Sequence, residues 1–111
     1  MSEIPIYDPE VLVSLIGDDQ PLIEEYKKEF VKQCVPTLRG IAAAFNKNEN
    51  TEVKDQAHYL KTSAKAIGAM RCAARLQKIE DCALSDDRVS LKQHITLLQN
   101  DIRDVKKEFI K

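Results

Sequence analysis

The sequence has no tryptophan, only three glycines and four prolines, and few runs of β-branched residues, a balance that favours helix over sheet. It also lacks an excess of either charge. Seventeen Lys and Arg against eighteen Asp and Glu leave a net charge of -1, which provides no bulk-charge basis for binding nucleic acid or a membrane. No apolar run approaches the roughly 20 residues of a membrane span. The acidic opening "MSEIPIYDPE" has no apolar stretch of signal-peptide length. The three cysteines, Cys34, Cys72 and Cys82, are an odd number, form no C-x-x-C pair and fall within helical patterns. They are expected to be reduced packing residues in a cytoplasmic protein. A chain of 111 residues, 43% apolar and 32% charged, is expected to be one domain over residues 1–111 with a modest core of its own.

What the chain does have is helical periodicity. "YDPEVLVSLIGDD" offers Asp8 as N-cap and Pro9 at the first helical position, so a short helix to about Ile16 is predicted, with Gly17 as its stop. "DDQPLIEEYKKEFVKQCV" repeats the device with Asp19 and Pro21, and Ile23, Tyr26, Phe30 and Cys34 share a face. The pattern resumes beyond Pro36 through Leu38, Ile41, Ala42 and Phe45, which predicts one long kinked helix ending near Asn46. Val53, Ala57, Leu60, Ala64 and Ile67, spaced 4, 3, 4 and 3, form the seam of a third helix from about Thr51 to Ile67, broken at Gly68. Ala69, Cys72, Leu76, Ile79 and Ala83 form the seam of a fourth. The turn "SDDR" follows, with Asp86 or Asp87 as the next cap, and Leu91, Ile95, Leu98, Ile102, Val105 and Phe109 mark a fifth helix. The expected fold is all-α: an antiparallel up-down four-helix bundle with a short extra N-terminal helix across one end.

His58 follows the seam residue Ala57 and so lies about 100° off the seam, at the helix waterline. Its stripe holds Lys54, Lys61, Thr62 and Lys65. Three lysines beside an imidazole disfavour its cation, and they suit a neutral, nucleophilic ring or an anion attached to it. On the next helix Glu80 follows the seam residue Ile79 as His58 follows Ala57, so antiparallel packing could bring its carboxylate to the ring. The run "TSAKAIGA" is small-chained, and a partner could approach there. The plain alternatives are a solvated histidine on a charged surface, a Glu80 that faces water or pairs with Lys78 or Arg75, and small residues that serve bundle packing, as Ala64 and Ala69 would.

These residues resemble the histidine phosphotransfer (HPt) domain family. His58, Leu60, Lys61, Ser63, Ala64, Ile67, Gly68 and Ala69 match its signature in order, Ala57 precedes it as it should, and Glu80 stands 22 residues after the histidine, where family members carry Gln or Glu. Thr62 stands where glycine is usual, and Cys72 where leucine is common. The resemblance implies a phosphorelay intermediate that accepts a phosphoryl group on His58, at Nε2, from a receiver-domain aspartate of a hybrid sensor kinase, and passes it to the aspartate of a response regulator. It implies that Lys61 stabilises the charge, with Lys54 and Lys65 acting at longer range, and that Glu80 orients the ring. The receiver would dock on the His58 face at Lys54, Thr62, Lys65 and Ala66. No cofactor is expected on this chain, because the receiver would supply Mg²⁺. No Gly-rich nucleotide loop is present, so no kinase activity is expected, and a free monomer is.

Two rival functions can be stated. A docking module could use the same shape without being phosphorylated. A metal-binding bundle would need several converging ligands, whereas only His58 and His94 are available, on different helices and without an E-x-x-H partner.

Overall fold

The structure is a computed structural model in which residues 4–110 are described. Five helices follow one another: α1 (Pro9–Ile16), α2 (Gln20–Asn46), α3 (Asn50–Ile67), α4 (Met70–Leu84) and α5 (Arg88–Phe109). No strand occurs among the described residues. The predicted starts are real caps. The Asp8 carboxylate accepts from Glu10 N–H, Asp19 from Leu22 N–H and Asp87 from Ser90 N–H, so α1, α2 and α5 each have an orphan donor satisfied. Of the two candidates in the last turn, Asp87 is the cap. Asp86 instead takes a left-handed φ of 55° and accepts from the Asn50 side chain at 2.8 Å. Pro36 lies inside α2, which continues through it as one helix.

α2, α3, α4 and α5 pack as a ring in which each touches its sequence neighbours and α5 closes on α2. The seams meet at the centre. Ile41, Val53, Leu60, Leu76, Ile79, Leu91, Leu98 and Val105 are all fully buried. Each such side chain contributes roughly 1.5–3 kcal/mol of apolar transfer, so these rows hold the helices in register. Cys34 and Cys72 are buried among them, and burial pushes the Cys34 thiol up to about 12 and also raises Cys72. Both are therefore neutral thiols and pack as small apolar groups. Cys82 is half-buried rather than part of the core.

α1 lies against α3 at the turn that joins α3 to α4. Asp8 N–H donates to the Gly68 carbonyl at 2.8 Å, and the Arg71 guanidinium donates to the Ile4 carbonyl at 3.1 Å. Gly68 itself has φ 85° and caps α3 in the left-handed conformation. At the other end, Arg88 clamps two helices. Its guanidinium donates to the Phe45 carbonyl at 2.8 Å and lies 4.1 Å from the centroid of the Phe45 ring. Arg88→Ala is expected to cost about 1–2 kcal/mol, a lost charge-assisted hydrogen bond plus a lost cation–π contact. Urea denaturation measures it against Arg103→Ala, an exposed position, and equal midpoints for the two variants would contradict the clamp.

Candidate functional site

His58 and Lys61 are one turn apart on α3, and Gln77, Glu80 and Asp81 share one stripe of α4. Antiparallel packing of the two helices brings these stripes together. Glu80 Oε1 stands 3.3 Å from His58 Nδ1, and its Oε2 stands 2.7 Å from Lys61 Nζ. The His58 side chain is 63% exposed, whereas those of Lys61 and Glu80 are only 11% and 10% exposed. The buried carboxylate thus turns one oxygen to the His58 ring and forms an ion pair with Lys61 through the other. A carboxylate can only accept, so Nδ1 carries the ring proton in the neutral imidazole and Nε2 keeps its lone pair. The rest of the ring is open to solvent, as a reacting nitrogen requires.

The lysines differ from the expected ring. Lys61, expected to sit beside a phosphoryl group on the polar face, is buried. Its ammonium is held by Glu80 and by the Gln77 side-chain carbonyl, also at 2.7 Å. Lys61 stands four residues after Ala57 and three before Ala64, only about 40–60° off the seam. The α3–α4 packing therefore draws it inward, where a carboxylate must accompany it. Lys54 lies 3.4 Å from its neighbour Asp55. Lys65 is exposed and has no carboxylate partner among the described residues, so of the three it is the unattached charge. The exposed Thr62 donates its hydroxyl to the His58 carbonyl at 3.1 Å, which satisfies that hydroxyl within the helix.

His58, Thr62 and Ala66 form one stripe at intervals of four, and Ala66 lines a groove of about 350 Å³ between α1, α2 and α3. Leu12, Leu15 and Ile16 form one wall, Tyr26, Glu29, Phe30 and Gln33 the second, and Ser63, Ala66 and Ile67 the floor. Eight residues of helix put Ala66 about 12 Å from His58 along the axis. Tyr26, expected on the buried face of α2, is instead exposed and lines the groove. The sequence placed apolar residues of the short N-terminal helix beside Thr62 and Ala66, as the groove shows, but it did not point to the α2 wall or to Gln77. For Gln77 the signal was its place three residues before Glu80 and four before Asp81.

His94 lies elsewhere. Its Nδ1 accepts from Arg75 at 3.2 Å, and Arg75 Nε donates at 2.7 Å to Asp101, a buried carboxylate. Burial lowers the His94 pKa, and the Arg75 cation lowers it further. This network ties α4 to α5 and does not reach His58. Among the described residues no cluster of three His, Cys, Asp or Glu side chains could hold a metal ion, and no helix is long and apolar enough to cross a membrane.

The profile of the Hpt domain family matches residues 25–108. Among solved structures, the chain is similar to histidine-containing phosphotransfer protein B from Pseudomonas aeruginosa PAO1, with a TM-score of 0.87 and 22% identity over 95% of this chain and 91% of that one. It is also similar to a rice protein described as a histidine-containing phosphotransfer protein, with a TM-score of 0.82 and 18% identity over 94% of this chain and 78% of the other. Among curated proteins there is no match.

Proposed function

Because this chain belongs to the Hpt domain family, whose members relay phosphoryl groups in phosphorelays, we propose that His58 is the residue that carries the group. The observation that supports this best is the pairing of an exposed ring with a buried carboxylate on its Nδ1, 3.3 Å away. In the forward step the Nε2 lone pair forms a bond to phosphorus. The bond between phosphorus and the aspartyl oxygen of the receiver breaks, and its electron pair leaves with that carboxylate. The Nδ1 proton stays on the ring, which becomes cationic, and Glu80 offsets that charge from the buried side. Transfer onward to a second receiver runs the same steps in reverse. The receivers supply the aspartate and Mg²⁺, and this chain supplies the nucleophile and its orientation.

The donor is the receiver domain of a hybrid sensor kinase, and the acceptor is a response regulator in the cytoplasm. Docking uses the groove together with the Thr62–Ala66 stripe. Lys65 supplies the free positive charge toward an acidic receiver cleft, and Lys54 adds a weaker one because Asp55 offsets it. Short side chains at positions 62 and 66 let the receiver backbone approach the ring.

The test is incubation with phosphorylated receiver domains, following acid-labile, alkali-stable phosphate on this protein. Wild-type protein takes up label. Thr62→Trp, which changes an exposed residue, keeps its helicity but transfers at least tenfold more slowly, roughly 1.4 kcal/mol of lost approach. Failure of the wild type to accept label from any receiver would reject phosphotransfer. A Thr62→Trp protein that transfers at the wild-type rate would move the docking face away from this stripe.

A further inference from the structure

Gln77 lies beyond the residues that the phosphotransfer reading uses, yet it is built into them. Its side-chain carbonyl accepts from Lys61 at 2.7 Å, and its amide nitrogen donates to Asp81 at 2.9 Å. The orientation of that amide follows from charge. Flipped, it would turn an NH₂ toward the Lys61 ammonium and a carbonyl toward the Asp81 carboxylate, and both contacts would repel. Asp81 therefore fixes Gln77, Gln77 fixes Lys61, and Lys61 fixes one oxygen of Glu80. The other oxygen of Glu80 faces His58.

We propose that Gln77 is a positioning residue that keeps Lys61 on the Oε2 side of Glu80 and so leaves Oε1 free to hold the His58 ring in its Nδ1–H tautomer. The inference rests on the phosphotransfer reading for its importance, but not for its test. An ammonium has three donors; here the Gln77 carbonyl takes one as a hydrogen bond, and Glu80 Oε2 stands 2.7 Å away as its ion-pair partner. The Lys61 side chain is only 11% exposed, so few water molecules can replace a lost partner. Without the Gln77 carbonyl, the buried cation has Glu80 alone to satisfy it. It then moves to bridge both carboxylate oxygens, and the imidazole loses its share of Oε1. The ring is then free to adopt the Nε2–H tautomer, in which the reacting nitrogen carries a proton and cannot attack.

Gln77→Met keeps the length and removes the acceptor, at a position exposed enough to leave the core untouched. Nitrogen-15 spectra of the unphosphorylated protein read the tautomer directly, whatever the protein's activity. In wild type the Nε2 signal is that of a bare nitrogen and the Nδ1 signal that of a protonated one. In Gln77→Met the two signals move toward each other, and acceptance from a phosphorylated receiver slows roughly threefold to tenfold, the loss of about one charge-assisted hydrogen bond. In a Glu80→Gln background, which removes the carboxylate that Lys61 and His58 share, adding Gln77→Met changes neither readout. Unchanged ring signals in Gln77→Met would overturn the proposal, as would an equal effect of Gln77→Met in both backgrounds. A wild type that shows the Nδ1–H tautomer but takes no label would reject phosphotransfer and leave the positioning role standing.

Discussion

His58→Gln is expected to abolish receiver-dependent labelling and to leave the bundle folded. The side chain is 63% exposed, and its one polar contact is with Glu80, so it contributes little to packing. Glutamine can still donate an N–H to the Glu80 carboxylate, which keeps that buried charge partnered. The amide nitrogen of glutamine has no basic lone pair, so it cannot form the bond to phosphorus. The expected loss is complete to the limit of detection, while the unfolding free energy changes by less than about 1 kcal/mol. Labelling and circular dichroism are measured on the same preparation. Retained label would reassign the nucleophile, and a collapse of helicity would mean that the histidine holds the fold together.

Gly68→Ala is expected to give the largest loss of stability. The residue sits at φ 85°, where a Cβ costs about 1 kcal/mol by itself. That Cβ would also run into the carbonyl oxygen of Asp8, a backbone atom tied down by the cap of α1. Either the α3 cap or the seat of α1 must shift, for a total of about 2–4 kcal/mol. For a chain of this size that is a fall in melting temperature of roughly 10–20 °C. Because α1 carries the Leu12, Leu15 and Ile16 wall of the groove, receiver affinity should fall along with it. A variant that melts and binds like wild type would show that the Asp8 segment moves away at no cost.

The helices were legible because their seams repeat at 4 and 3, because Asp caps the starts of α1, α2 and α5, and because Gly ends α1 and α3. The approach of Glu80 to His58 followed from two residues in equivalent places on facing seams. Lys61 did not follow, because a stripe of lysines in one helix says nothing about the helix that covers it. Its burial depends on Glu80 and Gln77, which lie 19 and 16 residues further along the chain. The α2 wall of the groove was hidden for a related reason. The groove is built from three helices, and whether Tyr26 is covered depends on how α1 and α3 sit against α2, not on the periodicity of α2 alone.

The seat of α1 also sets how the molecule breathes. α3 buries six side chains and α4 another six, whereas α1 buries Leu12 alone, and its entry segment is tied down by the Asp8–Gly68 backbone bond and the Arg71–Ile4 hydrogen bond. In hydrogen exchange, amides of α1 therefore open by local fluctuations that leave the α3–α4 pair closed, and the amides around Leu60 and Leu76 exchange only on global unfolding. His58 and the α1 wall of the groove thus belong to units of different local stability. On the proposed docking mode, a receiver that rests on α1 would slow exchange there by the free energy of its own binding, while the helix that carries His58 is already protected and would gain little.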